Sequence, residues 1–296
     1  MSAPSLTARQ VWWHAVRPAT LAASVAPLLM ATSIAVHDGR VRPWPGAGAL
    51  LVAVGIQVGV NFANDYSDFR RGADTSARVG PPRAAASGLV EPETVRNAAL
   101  LTFGVVAVAG AAVSVATDWR LLGIGAVCIA AAWFYTGGPR PYGYAGLGEL
   151  FAFVFFGPVA AAGTAYVHEA TVPLPAVLAG FAAGLFAAAI LALNNLRDID
   201  TDRAAGKLTL AVRIGPARTR RLVRTAMLAA YLVPLAAAAS GAGMGVLLPL
   251  LSLPMAVLPL RLACRTKAAD LVAGLKAAAA LEMVFALLWA VGVVVS

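Results

Sequence analysis

Nine apolar stretches divide this chain, at 18–36, 46–66, 98–116, 119–137, 148–167, 174–195, 222–240, 243–262 and 272–295. Each comes near the ~20 residues that a helix needs to cross ~30 Å of hydrocarbon. Backbone amides find no water inside a bilayer, so such a chain folds as helices that satisfy their own hydrogen bonds. The prolines and glycines inside several stretches do not oppose this, because membrane helices tolerate both. The sequence therefore predicts an all-α, polytopic membrane protein, a bundle of about nine transmembrane helices. No long polar stretch is left to fold separately, so residues 1–296 are read as a single integral domain. The start, "MSAPSLTARQVWWHAVRP", lacks the basic-then-apolar pattern and cleavage site of a signal peptide, and the first span is read as retained.

Composition agrees. Hydrophobic residues make up 60% of the chain and charged ones 12%, whereas a soluble domain carries roughly a quarter charged residues. The net charge of +9 invites a nucleic-acid reading, but its distribution does not. With the N-terminus in the cytoplasm, only Arg40, Arg42 and Arg120 of the 23 lysines and arginines fall on the opposite side. That asymmetry follows the positive-inside rule and accounts for the charge without nucleic acid. It places the C-terminus outside. Cys128 and Cys264 lie far apart in apolar segments and form neither a metal-ligand spacing nor a disulfide framework.

Polar sequence gathers on the cytoplasmic side. Two long loops follow the second and sixth spans, and a third connection, "TGGPRPYGYAG", joins spans four and five. Asn61, Asn64, Asp68 and Gly72 are separated by three, four and four positions, and so are Asn195, Asp198, Asp202 and Gly206. Four spans lie between the two sets. This suggests two four-helix halves, about 18–137 and 148–262, plus a ninth helix at 272–295, with a site between the halves.

On a helix, Asn61, Asn64, Asp65 and Asp68 share one face, as do Asn195, Asp198 and Asp202. Asp200 points the other way, and Asp74 lies past Gly72, where the helix is expected to end. Clustered carboxylates at a membrane boundary are costly unless a cation neutralises them. Oxygen-only ligands favour a hard cation such as Mg²⁺, which keeps coordination places for substrate phosphates. Arg70, Arg71, Arg197, Arg203 and Lys207 stand beside the acids and suit phosphate oxygens. Acids for metal and bases for phosphate together imply an anionic diphosphate ligand.

"NDYSDFRRGAD" and "NNLRDIDTDRAAGKLTLAVRIG" resemble the two aspartate-rich motifs of the UbiA superfamily of intramembrane prenyltransferases. "YTGGPRPYGYAGLGELFAFVFFGP" and "ARVGPPRAAASGLV" resemble the branch that prenylates 1,4-dihydroxy-2-naphthoate for menaquinone. So does Gly72, which replaces the last aspartate of the broader pattern, with Asp74 two residues on. Whether Asp74 takes over as a ligand stays open. The resemblance implies a central cavity open toward the cytoplasm and laterally toward lipid. It implies polyprenyl diphosphate as donor and two Mg²⁺ ions held by Asn64, Asp65, Asp68, Asp198 and Asp202, with Arg71, Lys207 and Arg140 on phosphate oxygens. Asn195 and Arg197 fall among the substrate-binding residues, and the four aspartates with Lys207 form the catalytic set. Phe134, Tyr135, Phe151 or Phe155 would face the prenyl cation.

The acceptor ring would attack through the carbon bearing its carboxylate, losing CO₂ and giving a demethylmenaquinol. The "YTGGP" loop would border it, with Arg140 meeting the carboxylate and Tyr135 or Tyr142 a ring hydroxyl. Glu149 reads either as a base or as a loop residue. The aspartate motifs alone do not separate naphthoate from 4-hydroxybenzoate, homogentisate, haem or chlorophyllide as acceptor. A cation-dependent transporter is disfavoured, because its ionisable residues belong near the bilayer midplane rather than at span ends. The expected location is a bacterial plasma membrane. His14, His37 and His168 receive no role.

Overall fold

The structure, a computed structural model, describes residues 7–73 and 82–296. Asp74 and the "ARVGP" portion of the first loop lie outside the described residues. Among the described residues every regular element is a helix, and eight are long and apolar enough to cross a membrane. The protein is a multi-pass helical bundle.

A short α1 (Ala8–Val16) precedes the first span and is closed by a capping box between Thr7 and Gln10. α2 (Pro18–His37), α3 (Pro43–Arg70) and α4 (Pro92–Thr117) each begin on a proline, whose missing N–H costs nothing in a first turn. The fourth apolar stretch yields only α5 (Leu121–Phe134), about 21 Å long at 1.5 Å per residue. It is the exception among the nine expected spans: "TGG" turns the chain before a full crossing is complete.

The fifth span is broken in the middle. α6 (Gly148–Val154) runs through a π-turn (Phe155–Val159) into α7 (Ala160–Glu169). Pro158 removes a donor there, and Gly157 adopts a non-helical φ of −122° and ψ of −107°. The break is held by close approach to α8 (Leu174–Arg197): a Cβ on Gly157 would strike the Gly180 carbonyl, and one on Gly184 the Phe153 carbonyl. Lipid gives helices no hydrophobic reason to associate, so small residues that let backbones touch carry much of the packing.

After α9 (Ile199–Ala204), α10 (Leu210–Ala230) and α11 (Leu232–Ala239) make one crossing. A 3₁₀ segment (Met244–Ser252) with α12 (Leu253–Leu262) makes the next, and α13 (Ala268–Val295) the last. α13 packs along α2 and α8. Phe186, Tyr231 and Phe285 meet edge to face there, with centroids 5.2–6.3 Å apart. Gly245 and Gly292 bring the 3₁₀ segment onto α13 so closely that neither has room for a Cβ.

Two helices end on the same glycine-closed turn. α3 runs past the apolar stretch, carries the first polar motif on its own last turns and ends before Gly72, as expected, because no breaker occurs earlier. At Gly72 φ is +70°, Gly72 N–H bonds the Phe69 carbonyl and Ala73 N–H bonds the Asp68 carbonyl at 2.8 Å. Gly206 repeats the arrangement: φ is +71°, its N–H bonds the Arg203 carbonyl, and Lys207 N–H bonds the Asp202 carbonyl at 2.8 Å. Both are Schellman closures, which need a left-handed residue and therefore favour glycine. The sequence spacing of Asp68 to Gly72 and Asp202 to Gly206 thus records one turn used twice.

Candidate active site

A cavity of about 840 Å³ lies among α2–α8. Its walls are apolar for most of their length, and Asn64, Asp68, Asn194, Asn195 and Lys207 gather at one end. Along α3 the lining runs from Asp68 back to Ala49, roughly 28 Å of helix axis.

The polar end is built on the two glycine-closed turns. Because each turn holds its aspartate in the last helical turn, Asp68 and Asp202 are buried and brought to the same place. Lys207, directly after the Gly206 turn, reaches between them: its Nζ lies 3.1 Å from Asp68 Oδ2 and 3.8 Å from Asp202 Oδ1. One ammonium therefore joins the two motifs, 139 residues apart between Asp68 and Lys207. Tyr144 donates to the other Asp68 oxygen at 2.8 Å, and its ring lies beneath Lys207 and Arg71 at 5.2 and 5.3 Å. Burial, and then the charge of Asp68, push the Tyr144 phenol well up, so it stays a donor.

The other expected residues divide. Asn64 lines the cavity and accepts from Thr136 Oγ1 at 2.7 Å, which ties the "YTGGP" loop to the first motif. Asp65, one residue on, is fully buried and turns elsewhere, accepting the Ala84 and Ala85 amides at 2.8 and 3.2 Å. Its carboxylate anchors the segment before α4 and does not appear on the cavity wall. Asn61 is likewise engaged, donating to the Val16 carbonyl at 2.8 Å and so fixing the junction of α1 and α2.

In the second motif Asn195 lines the cavity and donates to Glu149 Oε1 at 3.0 Å. Asp198 sits at the break between α8 and α9 and pairs with Arg197, whose Nε lies 2.7 Å away; Arg197 also donates to Asn194 at 3.0 Å. Asp200 points outward to solvent with Arg203 at 3.6 Å, the direction its helical phase requires. Arg71 donates to the Gly138 carbonyl. Arg140 is exposed and off the cavity wall.

Tyr135 and Tyr142 both face the cavity, 5.4 Å apart, and Tyr142 stacks on Phe151 at 4.1 Å. Burial raises the Tyr142 phenol, which donates to the Ala131 carbonyl at 2.9 Å. The π-turn sets Phe155 and Phe156 on the same wall, and Phe134 also lines it. Sequence reasoning overlooked Tyr144, Thr136 and Asn194. A signal existed for two of them, the second tyrosine of "YGYAG" and the doubled "NN", but neither falls on the helical phase that singled out the acids.

Among the described residues no three acidic, histidine or cysteine side chains converge closely enough to hold a metal by themselves. The donor set around Asp68 and Asp202 is nonetheless all oxygen, already gathered about a cation, the Lys207 ammonium. Such a set fits a hard ion that completes its coordination with a ligand's own oxygens.

A model of the UbiA prenyltransferase family matches residues 24–289. A 1,4-dihydroxy-2-naphthoate octaprenyltransferase of Mycobacterium tuberculosis is 46% identical over 211 residues, covering 71% of this chain and 72% of that protein. Among solved structures, a UbiA homolog from Aeropyrum pernix K1 superposes with a TM-score of 0.68 at 16% identity, over 92% of this chain and 97% of that one. A UbiA homolog from Archaeoglobus fulgidus, bound to DMAPP and Mg²⁺, superposes with a TM-score of 0.52 at 14% identity, over 95% and 86%.

Proposed function

The chain belongs to the UbiA prenyltransferase family, and on that premise we propose that it transfers a polyprenyl group from polyprenyl diphosphate to 1,4-dihydroxy-2-naphthoate. The observation that carries the reaction is the Asp68–Lys207–Asp202 bridge at the polar end of a long apolar cavity. The acceptor rests on the relative that shares 46% of its residues over most of both chains.

The donor's isoprenoid tail lies along the apolar walls and its diphosphate meets Asn64, Asp68, Asn194, Asn195 and Lys207. Asn64, Asp68, Asp198 and Asp202 are the oxygen donors proposed for two Mg²⁺ ions, supported by the Mg²⁺ and DMAPP found with the Archaeoglobus homolog; Asp65, expected among them, is instead taken up by the Ala84 and Ala85 amides. When bound, Mg²⁺ supplies charge stabilisation for the departing diphosphate. Lys207 leaves the two carboxylates for phosphate oxygens as the donor enters, and Arg71 flanks the same head group. Tyr144 holds Asp68 in orientation through its hydrogen bond.

As the allylic C–O bond breaks, its electron pair leaves with diphosphate, and the faces of Tyr135, Phe151 and Phe155 meet the positive prenyl carbon. The acceptor carbon that bears the carboxylate forms the new C–C bond. Its bond to the carboxylate then breaks, CO₂ departs, and the electron pair returns to the ring. No proton leaves that carbon, so no base is needed there. Glu149 accordingly acts through Asn195, which it orients, rather than as the base. Tyr135 or Tyr142 holds a ring hydroxyl, whereas Arg140, expected to meet the acceptor's carboxylate, is exposed and off the cavity wall.

The charge asymmetry supports an N-terminus and an active site facing the cytoplasm, with the C-terminus of α13 outside. The matched glycine turns support two four-helix halves, about 18–137 and 148–262, with α13 appended. The test is turnover by purified protein in lipid nanodiscs with a polyprenyl diphosphate, Mg²⁺ and each candidate acceptor, following prenylated product and CO₂. We expect turnover of dihydroxynaphthoate that stops on chelation of Mg²⁺. Turnover of 4-hydroxybenzoate and not of dihydroxynaphthoate would overturn the acceptor assignment.

A further inference from the structure

At the end of the cavity remote from Asp68, one side chain borders two apolar spaces. Leu28 of α2 lines the main cavity and also a second apolar cavity of about 310 Å³, and no other described residue lines both. The second cavity is bounded by α2, by the first turns of α3 through Gly46, Ala47 and Leu50, and by His168 of α7. Val41, Pro43, Ala47 and Leu50 on its rim are exposed, and His168 is held in place on its wall. The Arg42 amide donates to His168 Nδ1 at 3.2 Å, and Nε2 lies 3.3 Å from Thr32 Oγ1. Accepting at Nδ1 leaves the neutral ring's proton on Nε2, where it meets Thr32. Gly46 makes room for that ring, which a Cβ there would strike.

The dimensions relate the two spaces. The main cavity follows roughly 28 Å of α3. An isoprenoid unit adds four chain bonds of about 1.5 Å, hence roughly 4–5 Å of extended length. About six units fill the main cavity, and a longer tail reaches Leu28 with one or two units still to place. We propose that Leu28 is a partition that sets tail length: when it turns aside, the second cavity receives the last units of the donor. This rests on the polyprenyl-transfer reading, and the occupant is argued from continuity, since Leu28 lines both cavities.

The test measures binding without acceptor. Wild type, Leu28→Ala, Leu28→Trp and Ala47→Phe are placed in nanodiscs, and C15 and C40 prenyl diphosphates compete against a fluorescent prenyl diphosphate. The readout is the preference for C40 over C15 within each protein, which cancels differences in folded fraction. We expect Leu28→Trp, which thickens the partition, to reduce that preference roughly tenfold, the scale on which an apolar pocket discriminates chain length. Ala47→Phe fills the second cavity from its far side and reduces it likewise, while Leu28→Ala increases it. A preference within twofold of wild type in all three variants overturns the partition, as when a lipid acyl chain fills the second cavity. Turnover of dihydroxynaphthoate is measured separately; shifted preferences without turnover would uphold the partition and refute the reaction.

Discussion

Replacing Lys207 by Met is the sharpest test of the bridge. In the native structure the ammonium lies 3.1 Å from Asp68 and 3.8 Å from Asp202, and both carboxylates are buried. The variant keeps an unbranched side chain one atom shorter and removes its charge. The two oxygens that met the ammonium lie no further apart than the sum of its two contacts, 3.1 and 3.8 Å, where like charges repel by at least about 2.4 kcal/mol at an effective dielectric of 20. A divalent ion relieves that repulsion and no longer competes with an ammonium for the same oxygens. Metal should therefore bind the donor-free variant more tightly, by roughly 60-fold if the whole of that energy is expressed. Catalysis moves the opposite way. Losing one cationic donor to the leaving group should lower kcat/KM by about 10²–10³. The assays are Mn²⁺ binding by electron paramagnetic resonance in nanodiscs and steady-state turnover. Lys207→Arg keeps the charge and serves as control, with metal affinity near wild type. Mn²⁺ affinity and kcat/KM that both stay within threefold of wild type in Lys207→Met would refute the reasoning.

The other predictions concern single contacts. Tyr144→Phe keeps the ring beneath Lys207 and Arg71 but removes the hydrogen bond to Asp68. A lost bond to a charged group is worth about 1.5–3 kcal/mol of folded-state stability, so the thermal midpoint should fall, and kcat/KM should fall with it as Asp68 loses its orientation. Gly72→Ala meets no atom within 4 Å, so its only penalty is the +70° backbone angle; unfolding by denaturant should show a loss of about 1 kcal/mol. Gly292→Ala, by contrast, drives a methyl into the Gly245 backbone. It should cost about 3 kcal/mol or more through overpacking, read as lost thermal stability of the detergent-solubilised protein. Asp65→Asn breaks the paired acceptance of the Ala84 and Ala85 amides, and limited proteolysis before α4 should accelerate severalfold. Equal cleavage rates would mean that the anchor is redundant.

Much of this molecule is local and therefore legible. The length and apolarity of the stretches require helices that cross a bilayer, because no other backbone arrangement survives without water. Helical phase turned Asp200 outward, and the matched spacing of Asp68 to Gly72 and Asp202 to Gly206 corresponds to two identical helix ends. These features depend only on dihedral geometry within a few residues. Phase could not separate Asp65 from Asp68, since both lie on the inward half of α3. Their fates diverge because Asp65 meets the amides of Ala84 and Ala85, whereas Asp68 meets Tyr144 and Lys207. The π-turn that aims Phe155 and Phe156 and the place of Leu28 between two cavities likewise arise where helices close upon one another. The sequence alone determined which residues share a helix face. Only the tertiary structure decided what each face met, because those partners are brought from far along the chain by packing.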